Sequence, residues 1–195
     1  MKKALIAILA AGFLTNGINV FGNEGLSIVN NTFKFSSIVE KNIDRMDDYI
    51  NLGYAKINVP SYFDKDSFRA LILVESGDNP RALGFYGERG LCQLKETTWN
   101  QVEENYNFHK EAFDPNKNIE VSLKYIKWLD YACKIYNPNW DNLSDGKKRN
   151  FVIVAYNGGI GHLNEKAKWD IQKMPEGAQN YLVKIDKCLE EIFNP

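Results

Sequence analysis

The stretch LILVESGDNPRALGFYGERGLCQ occupies residues 71–93 of the 195-residue chain. Four apolar residues, Leu71 to Val74, lead directly to one carboxylic acid, Glu75, and a Ser-Gly pair then ends the apolar run. A helix with one buried face would hold Glu75 in its last turn against an apolar wall, and such a wall raises the pKa of a carboxyl group. Glu75 is therefore a candidate general acid near neutral pH, although a Glu at this place in an amphipathic helix is also typical of solvated surface.

Helix-start signals recur along the chain on both sides of this stretch. Capping or first-turn residues are expected at Ser36-Ser37, Asp64 or Asp66, Thr97 or Thr98, Asp114-Pro115, Ser144 and Pro175. The longest predicted helix extends from about Asn116 to Tyr136, with apolar residues at helical spacing, and Pro138 ends it. The loop over residues 78–90 carries three glycines, which favour turns. The expected fold class is mainly α, with at most a small β-hairpin.

Three motifs in the chain resemble the catalytic core of the lytic transglycosylases and goose-type lysozymes, which cut the glycan of peptidoglycan. The first is E-S-G-x-N-P-x-A followed by G-x-x-G-L-x-Q, at residues 75–82 and 87–93. The second, AYNGG at residues 155–159, is similar to A-Y-N-x-G, and the third, NYLV at residues 180–183, is similar to N-Y-V. The resemblance implies a lysozyme-like helical domain over residues 64–195.

The resemblance also implies roles for individual residues. Glu75 would be the single catalytic acid and base. The residues expected to bind substrate are Gln93, Tyr156, Asn157, Tyr181 and Glu176. Without the resemblance, Tyr156 would be interpreted as a packed aromatic residue and Asn157 as a turn former.

Two positions depart from the pattern of the family. Gly84 stands where many relatives have a Ser nine residues after the catalytic Glu, and Gly177 stands where many have a Glu four residues before the C-terminal Tyr. Glu176 lies one place earlier than that Glu. It could reach the cleft, but we prefer to interpret it as a first-turn residue that the helix dipole favours.

The reaction implied is cleavage of the β-1,4 bond between N-acetylmuramic acid and N-acetylglucosamine, with formation of a 1,6-anhydro ring. A goose-type hydrolase is the first alternative, and it needs a second acid, for which Asp78 and Glu88 are the nearest candidates. A catalytically silent glycan-binding or scaffold protein of the same fold is the second. No cofactor or metal is expected, since His109 and His162 have no ligand spacing.

The charge and composition of the chain indicate which binding partners to expect. The chain carries 24 Lys and Arg against 25 Asp and Glu, so its net charge gives no reason to expect a nucleic acid partner. Aromatic residues make up 13% of the chain, which suits a sugar-binding cleft. We expect peptidoglycan glycan strands as substrate. A compact domain of this kind would suit local wall opening for an envelope-spanning assembly such as a secretion system, pilus, flagellum or conjugation apparatus.

The N-terminus predicts export. Three residues, Met-Lys-Lys, precede the apolar run of residues 4–14, and together they have the form of a signal peptide over residues 1–22. An uncleaved N-terminal anchor is the alternative. Residues 23–63 are expected to be an extension with one helix, which would end near Gly53. The expected location is the periplasm or the exterior.

Three cysteines remain in the exported part. Cys92 stands where the family usually has Met and is expected to be a small core residue. Cys133 and Cys188 both fall in predicted helices, and a disulfide between them is one expectation for an oxidising compartment.

Overall fold

The computed structural model describes residues 45–193, with side chains through residue 190. Its main helices, numbered in chain order, are α1 (45–56), α2 (Lys65–Ser76), α3 (Glu96–Val102), α4 (Phe108–Glu111), α5 (Pro115–Tyr136), α6 (Asp145–Gly158) and α7 (Glu176–Phe193). Three short helical turns lie at Trp140–Asn142, His162–Lys166 and Ile171–Lys173. Residues 45–193 contain no β-sheet, only isolated bridges of Arg89 with Leu83 and Leu94. The mainly α fold class is confirmed.

Local capping explains why several helices begin and end where they do. The Asp64 side chain accepts a hydrogen bond from the Ser67 N–H at 2.8 Å at the start of α2. Asp114 caps α5 and Ser144 caps α6 in the same way. Gly77, in the left-handed region at φ 57°, ends α2 and donates its N–H to the Leu73 carbonyl. This glycine cap ends α2 at Ser76, so Glu75 lies in the last turn of the helix.

Other helix boundaries differ from the predictions. Helix α3 begins at Glu96 rather than at a threonine, and its N-cap, Lys95, makes no side-chain capping bond. The helix ends at Val102. The short helix α4 was not predicted, although Asn107 caps it by accepting from the Lys110 N–H at 3.1 Å.

Helix α1 also extends further than expected, because residues 54–56 beyond Gly53 remain helical. Met46 and Ile50 on this helix belong to the same buried core as the rest of the described chain. The start predicted for this helix, the signal peptide and residues 23–44 lie outside the described residues. The division of the chain at residues 63 and 64 stays a prediction.

The core forms around α5. Helices α3 and α6 pack against α5, while α7 packs against both α2 and α6. The side chains that are fully enclosed include Trp99, Phe68, Leu71, Ile119, Leu123, Ile126, Leu129 and Ile153. Because α2 and α7 pack together, residues far apart in the sequence meet at the end of α2. Over residues 45–193, no helix combines the length and apolar character needed to cross a membrane.

The cysteine prediction is half right. Cys92 is fully buried, as expected, but no disulfide joins Cys133 to Cys188. Cys133 lies on α5, whereas Cys188 lies on α7, whose main contacts are with α2 and α6. Both residues belong to the one buried core, on helices that make no main contact with each other, and burial raises the pKa of Cys133 to about 12.

The contact between α1 and α5 generates a stability prediction. A Cβ placed on Gly53 would lie 2.8 Å from Leu123 Cδ1 and 2.9 Å from Ile119 Cγ2, both in fully buried side chains. Gly53→Val should therefore lower the free energy of unfolding by about 1–3 kcal/mol through overpacking. Urea unfolding measures this change.

The matched control is Gly177→Val on α7, where a Cβ would meet no atom within 4 Å. That variant should stay within about 0.5 kcal/mol of the original protein. Equal losses in the two variants would show that the α1–α5 contact is not the cause.

Candidate active site

Glu75 lies in the last turn of α2, with its side chain partly exposed to a cavity. Its Oε1 accepts a hydrogen bond from the Tyr181 hydroxyl at 2.7 Å. Burial raises the pKa of Glu75 from 4.5 to about 7, the Tyr181 hydrogen bond opposes this rise, and the nearby charge of Glu88 adds to it. Glu75 can therefore hold a proton at neutral pH and release it within the same pH range.

The cavity beside Glu75 has a volume of about 420 Å³. Its walls come from the end of α2, the loop leading into α3, the first turn of α3, the middle of α5 and the end of α6. The residues that line it are Glu75, Glu88, Gln93, Leu94, Lys95, Thr98, Tyr125, Tyr156, Asn157, Gly158 and Gly159. Four residues predicted for the site, Glu75, Gln93, Tyr156 and Asn157, thus share one cavity. The described residues include no group of three His, Cys, Asp or Glu side chains arranged to hold a metal ion.

Gln93 lines the cavity and also braces the preceding loop. Its Nε2 donates to the carbonyl oxygens of Gly90 at 2.8 Å and Ala82 at 3.2 Å. Its backbone lies in the left-handed region at φ 47°. Since the amide nitrogen is used by the loop, the part of Gln93 left to contact a ligand is its carbonyl oxygen.

Tyr156 is fixed at its hydroxyl group. That hydroxyl donates to the Cys92 carbonyl at 2.8 Å and lies 3.0 Å from Ser122 Oγ, which donates in turn. Burial raises the pKa of Tyr156 well above its ordinary value. A ligand in the cavity therefore meets the ring of Tyr156 rather than its hydroxyl, while the neighbouring Asn157 is exposed at the end of α6.

The loop that carries Gln93 is also held from α5 by one buried amide. Asn118 is fully buried, and its Oδ1 accepts from the Cys92 N–H at 2.9 Å. Its Nδ2 donates to the carbonyl oxygens of Ala112 at 2.8 Å and Arg89 at 3.0 Å. All the main hydrogen-bonding groups of this side chain therefore serve to fix loop backbone against the long helix.

Tyr181 and Glu176 lie on the same helix but in different surroundings. Tyr181 is buried where α7 packs on α2, and it reaches Glu75 from behind the cavity wall. Glu176 is the first residue of α7, where it is exposed and outside the set of residues that line the cavity.

Gly84 and Glu88 explain one departure from the family pattern. A Cβ on Gly84 would clash with Glu88 Oε2 and lie 2.9 Å from Gln93 Oε1, so a serine fits there only if the Glu88 carboxylate moves. The Glu88 carboxylate occupies this space and accepts from the Tyr86 N–H at 3.0 Å. Lys95 Nζ lies 3.4 Å from its other oxygen.

Glu88 is held as a carboxylate. Burial alone would raise its pKa, but hydrogen bonds from backbone N–H groups and Lys95 hold that pKa below its ordinary value. The cavity therefore contains two carboxyl groups in different states: a protonatable Glu75 and an ionised Glu88. The other acid close in sequence, Asp78, forms an ion pair with Arg69 and does not line the cavity.

Two cavity residues, Tyr125 and Glu88, have no clear signal in the sequence. Tyr125 comes from the middle of α5, and no local pattern sets it apart from the aromatic residues of the core. The sequence marks Glu88 only as an acid close to Glu75 in the chain. The signal that could have singled it out is Gly84, since a missing side chain there leaves room for the carboxylate four residues later.

Comparison with known proteins agrees with the three motifs. The model of the family described as "Transglycosylase SLT domain" matches residues 56–181. Membrane-bound lytic murein transglycosylase E of Buchnera aphidicola subsp. Acyrthosiphon pisum is 27% identical over 165 residues, covering 81% of this chain and 70% of that protein. Membrane-bound lytic murein transglycosylase C of Sodalis glossinidius is 30% identical over 111 residues, which is 50% of this chain and 28% of that protein.

A third relative is membrane-bound lytic murein transglycosylase F of Pasteurella multocida, 28% identical over 94 residues. The match covers 48% of this chain and 17% of that protein. This chain therefore spans most of the E-type relative but less than a third of the C-type and F-type relatives. Every residue predicted for the site lies within the segment that the family model matches.

The hydrogen bond at Glu75 generates a pKa prediction. The bond to Tyr181 stabilises the ionised carboxylate and lowers its pKa, so Tyr181→Phe should raise the pKa of Glu75 above about 7. Carbon-13 NMR of the glutamate carboxyl groups between pH 4 and 10 measures the change. Tyr125→Phe, which alters the same cavity without touching this bond, should leave the pKa of Glu75 near about 7. Equal shifts in both variants would argue against the hydrogen bond as the cause.

The raised pKa of Glu75 also has a stability consequence. The unfolded chain loses this proton near pH 4.5 and the folded protein near pH 7, so folding becomes less favourable as the pH rises between these values. Glu75→Gln removes this effect. Its free energy of unfolding, relative to the original protein, should rise by on the order of 3 kcal/mol from pH 4 to pH 8.

Chemical unfolding at a series of pH values measures this difference. Glu190→Gln on the exposed side of α7 is the control for a lost charge, and its difference should vary with pH by less than about 0.5 kcal/mol. A flat difference for Glu75→Gln would contradict the raised pKa.

Proposed function

The chain belongs to the transglycosylase SLT domain family, and on that premise we propose that it is a peptidoglycan lytic transglycosylase. Its reaction would cleave the β-1,4 bond between N-acetylmuramic acid and N-acetylglucosamine and leave a 1,6-anhydro-muramic acid end. The observation that carries this proposal is the Glu75 carboxyl group, which opens into the cavity with a pKa raised to about 7. A carboxyl group with this pKa can act first as an acid and then as a base near neutral pH.

The proposed reaction uses Glu75 twice. The protonated carboxyl group donates its proton to the glycosidic oxygen, and the bond from that oxygen to C1 of the muramic acid breaks. The N-acetyl oxygen of the same sugar stabilises the positive charge at C1, as in substrate-assisted glycosidases. The ionised Glu75 then accepts the proton of the C6 hydroxyl, whose oxygen bonds to C1 and closes the anhydro ring. No water is consumed.

The neighbours of Glu75 fit supporting roles in this scheme. The Tyr181 hydroxyl, 2.7 Å from Oε1, would orient the carboxyl group and stabilise the carboxylate formed after the first proton transfer. Gln93 would offer its carbonyl oxygen and Asn157 its side-chain amide to the sugars, with the ring of Tyr156 as an apolar wall. For Glu176, exposed at the start of α7, we retain the interpretation of a first-turn residue favoured by the helix dipole.

A hydrolase of goose-lysozyme type is the second candidate, and one observation favours it. Glu88 is an ionised carboxylate in the same cavity as Glu75, so it has the charge state that a base needs to activate water. Asp78 is a poorer choice because Arg69 neutralises it outside the cavity. The silent scaffold is the third candidate, and the protonatable Glu75 argues against it.

We also propose that the protein acts outside the cytoplasmic membrane, on wall material that it opens locally. The support is the basic and apolar pattern of residues 1–14, together with a substrate that lies outside that membrane. An envelope-spanning assembly that must pass through the wall would be a suitable user of such an enzyme.

Digestion of purified peptidoglycan, with mass spectrometry of the products, tests the reaction. The original protein should release muropeptides one water lighter than hydrolysis products. Glu75→Gln should lower the rate by at least about a thousandfold, because it removes both proton transfers. Glu190→Gln, an equal loss of charge on the exposed side of α7, should retain the original rate.

Glu88→Gln separates the two enzymatic candidates. For a transglycosylase, this variant should still form anhydro products. Ordinary reducing ends from the original protein, lost in Glu88→Gln, would overturn the transglycosylase in favour of the hydrolase. No release by a folded original protein would favour the scaffold.

A further inference from the structure

We propose that residues 83–86, here called the aromatic tip, form a stacking platform that binds the glycan strand beyond the cavity. The proposal rests on the proposed function. Phe85 is 93% exposed, Tyr86 77% and Leu83 67%. Single exposed apolar side chains are common, but here three lie within four residues and two of them, Phe85 and Tyr86, are in contact. Clustered exposed apolar side chains mark interaction sites.

The aromatic tip is ordered before any ligand binds. The Gly84 N–H donates to the Glu88 carbonyl at 2.8 Å, and the Gly87 N–H donates to the Gly84 carbonyl at 3.1 Å, which closes a tight turn. The rings of Phe85 and Tyr86 lie 5.0 Å apart at an angle of 88°. A hydrogen-bonded turn has little backbone freedom left to lose on binding, which lowers the entropy cost of a contact made through these two rings.

The aromatic tip is continuous with the wall of the cavity. Its Tyr86 N–H donates to Glu88 Oε2 at 3.0 Å, and Lys95 Nζ lies 5.5 Å from the centre of the Tyr86 ring. Glu88 and Lys95 both line the cavity and lie 3.4 Å apart. A polymer that leaves the cavity past these two residues therefore passes the exposed rings of the aromatic tip.

The chemistry of the aromatic tip fits sugar rings. The C–H groups on the flat side of a pyranose carry a small positive charge, and they stack on the negative face of an aromatic ring. A glycan strand is also longer than a cavity of about 420 Å³ can enclose, so part of it must lie outside. Lys95, the cation nearest the Tyr86 ring, is paired with Glu88, so it adds little attraction toward an anionic membrane.

Binding by a catalytically impaired protein tests the proposal separately from the reaction. The full chain carrying Glu75→Gln is sedimented with purified peptidoglycan, and its affinity is compared with that of the same protein carrying Phe85→Ala and Tyr86→Ala in addition. The added substitutions should weaken binding about tenfold, since each ring contributes roughly a factor of two to ten. Tyr131→Ala with Tyr136→Ala, two rings more than half exposed on α5, is the matched control and should have no effect.

Two further probes identify the ligand that the aromatic tip binds. Peptide-free glycan strands should show the same tenfold loss, and vesicles of phosphatidylglycerol should not bind the aromatic tip. Unchanged peptidoglycan binding, a loss limited to strands that carry peptides, or a loss limited to vesicles would each overturn the proposal. Thermal unfolding checks that the double variant is folded, and Phe85→Ala alone repeats the test if it is not. These results do not depend on whether the original protein releases muropeptides, so failure of one proposal is distinguishable from failure of the other.

Discussion

The hydrogen bond between Tyr181 on α7 and Glu75 on α2 joins two residues that are 106 positions apart in the chain. It exists only because α7 packs along α2, and that packing in turn encloses the carboxyl group that the bond satisfies. Burial and the bond act in opposite directions on the pKa of Glu75. The balance leaves it at about 7, rather than at the 4.5 of a solvated glutamate or the higher value of an unsatisfied one. The packing of α7 against α2 therefore determines both the position of the Glu75 carboxyl group and its pKa.

The opposite wall of the cavity depends on a loop with almost no regular structure. Gln93 ties two carbonyl groups of this loop, Asn118 ties three backbone groups around it, and the Tyr156 hydroxyl binds one more. Hydrogen bonds from side chains satisfy the backbone groups that, in a β-sheet, would pair with a neighbouring strand. Glu88 takes part in the same way, because its carboxylate fills the space left open by Gly84 and binds the backbone at Tyr86.

Features encoded by a few neighbouring residues could be predicted from the sequence. The helix that carries Glu75, its cap at Asp64, the start of α5 at Asp114-Pro115 and the Ser144 cap all follow from local chemistry. Helix α3 begins before the threonines that the sequence indicates, and its N-cap, Lys95, makes no side-chain capping bond. Gly53 is typical of a helix stop, but in the fold it lies inside α1 and lets α5 approach closely. The Cys133–Cys188 bridge was wrong because pairing depends on which helices meet, and Glu88 and Tyr125 join the cavity for the same tertiary reason.

The hydrogen bonds from Asn118 determine which positions of the loop can change during evolution without moving its backbone. Because one buried amide on α5 fixes the backbone near Arg89, Cys92 and Ala112, the path of the chain into the site is set by an interior residue. The side chains of exposed residues such as Phe85 and Tyr86 take no part in that anchoring. They can therefore be substituted while the residues that line the cavity keep their positions. The fold thereby separates the buried residue that holds the loop beside Glu75 from the exposed residues that can change without disturbing it.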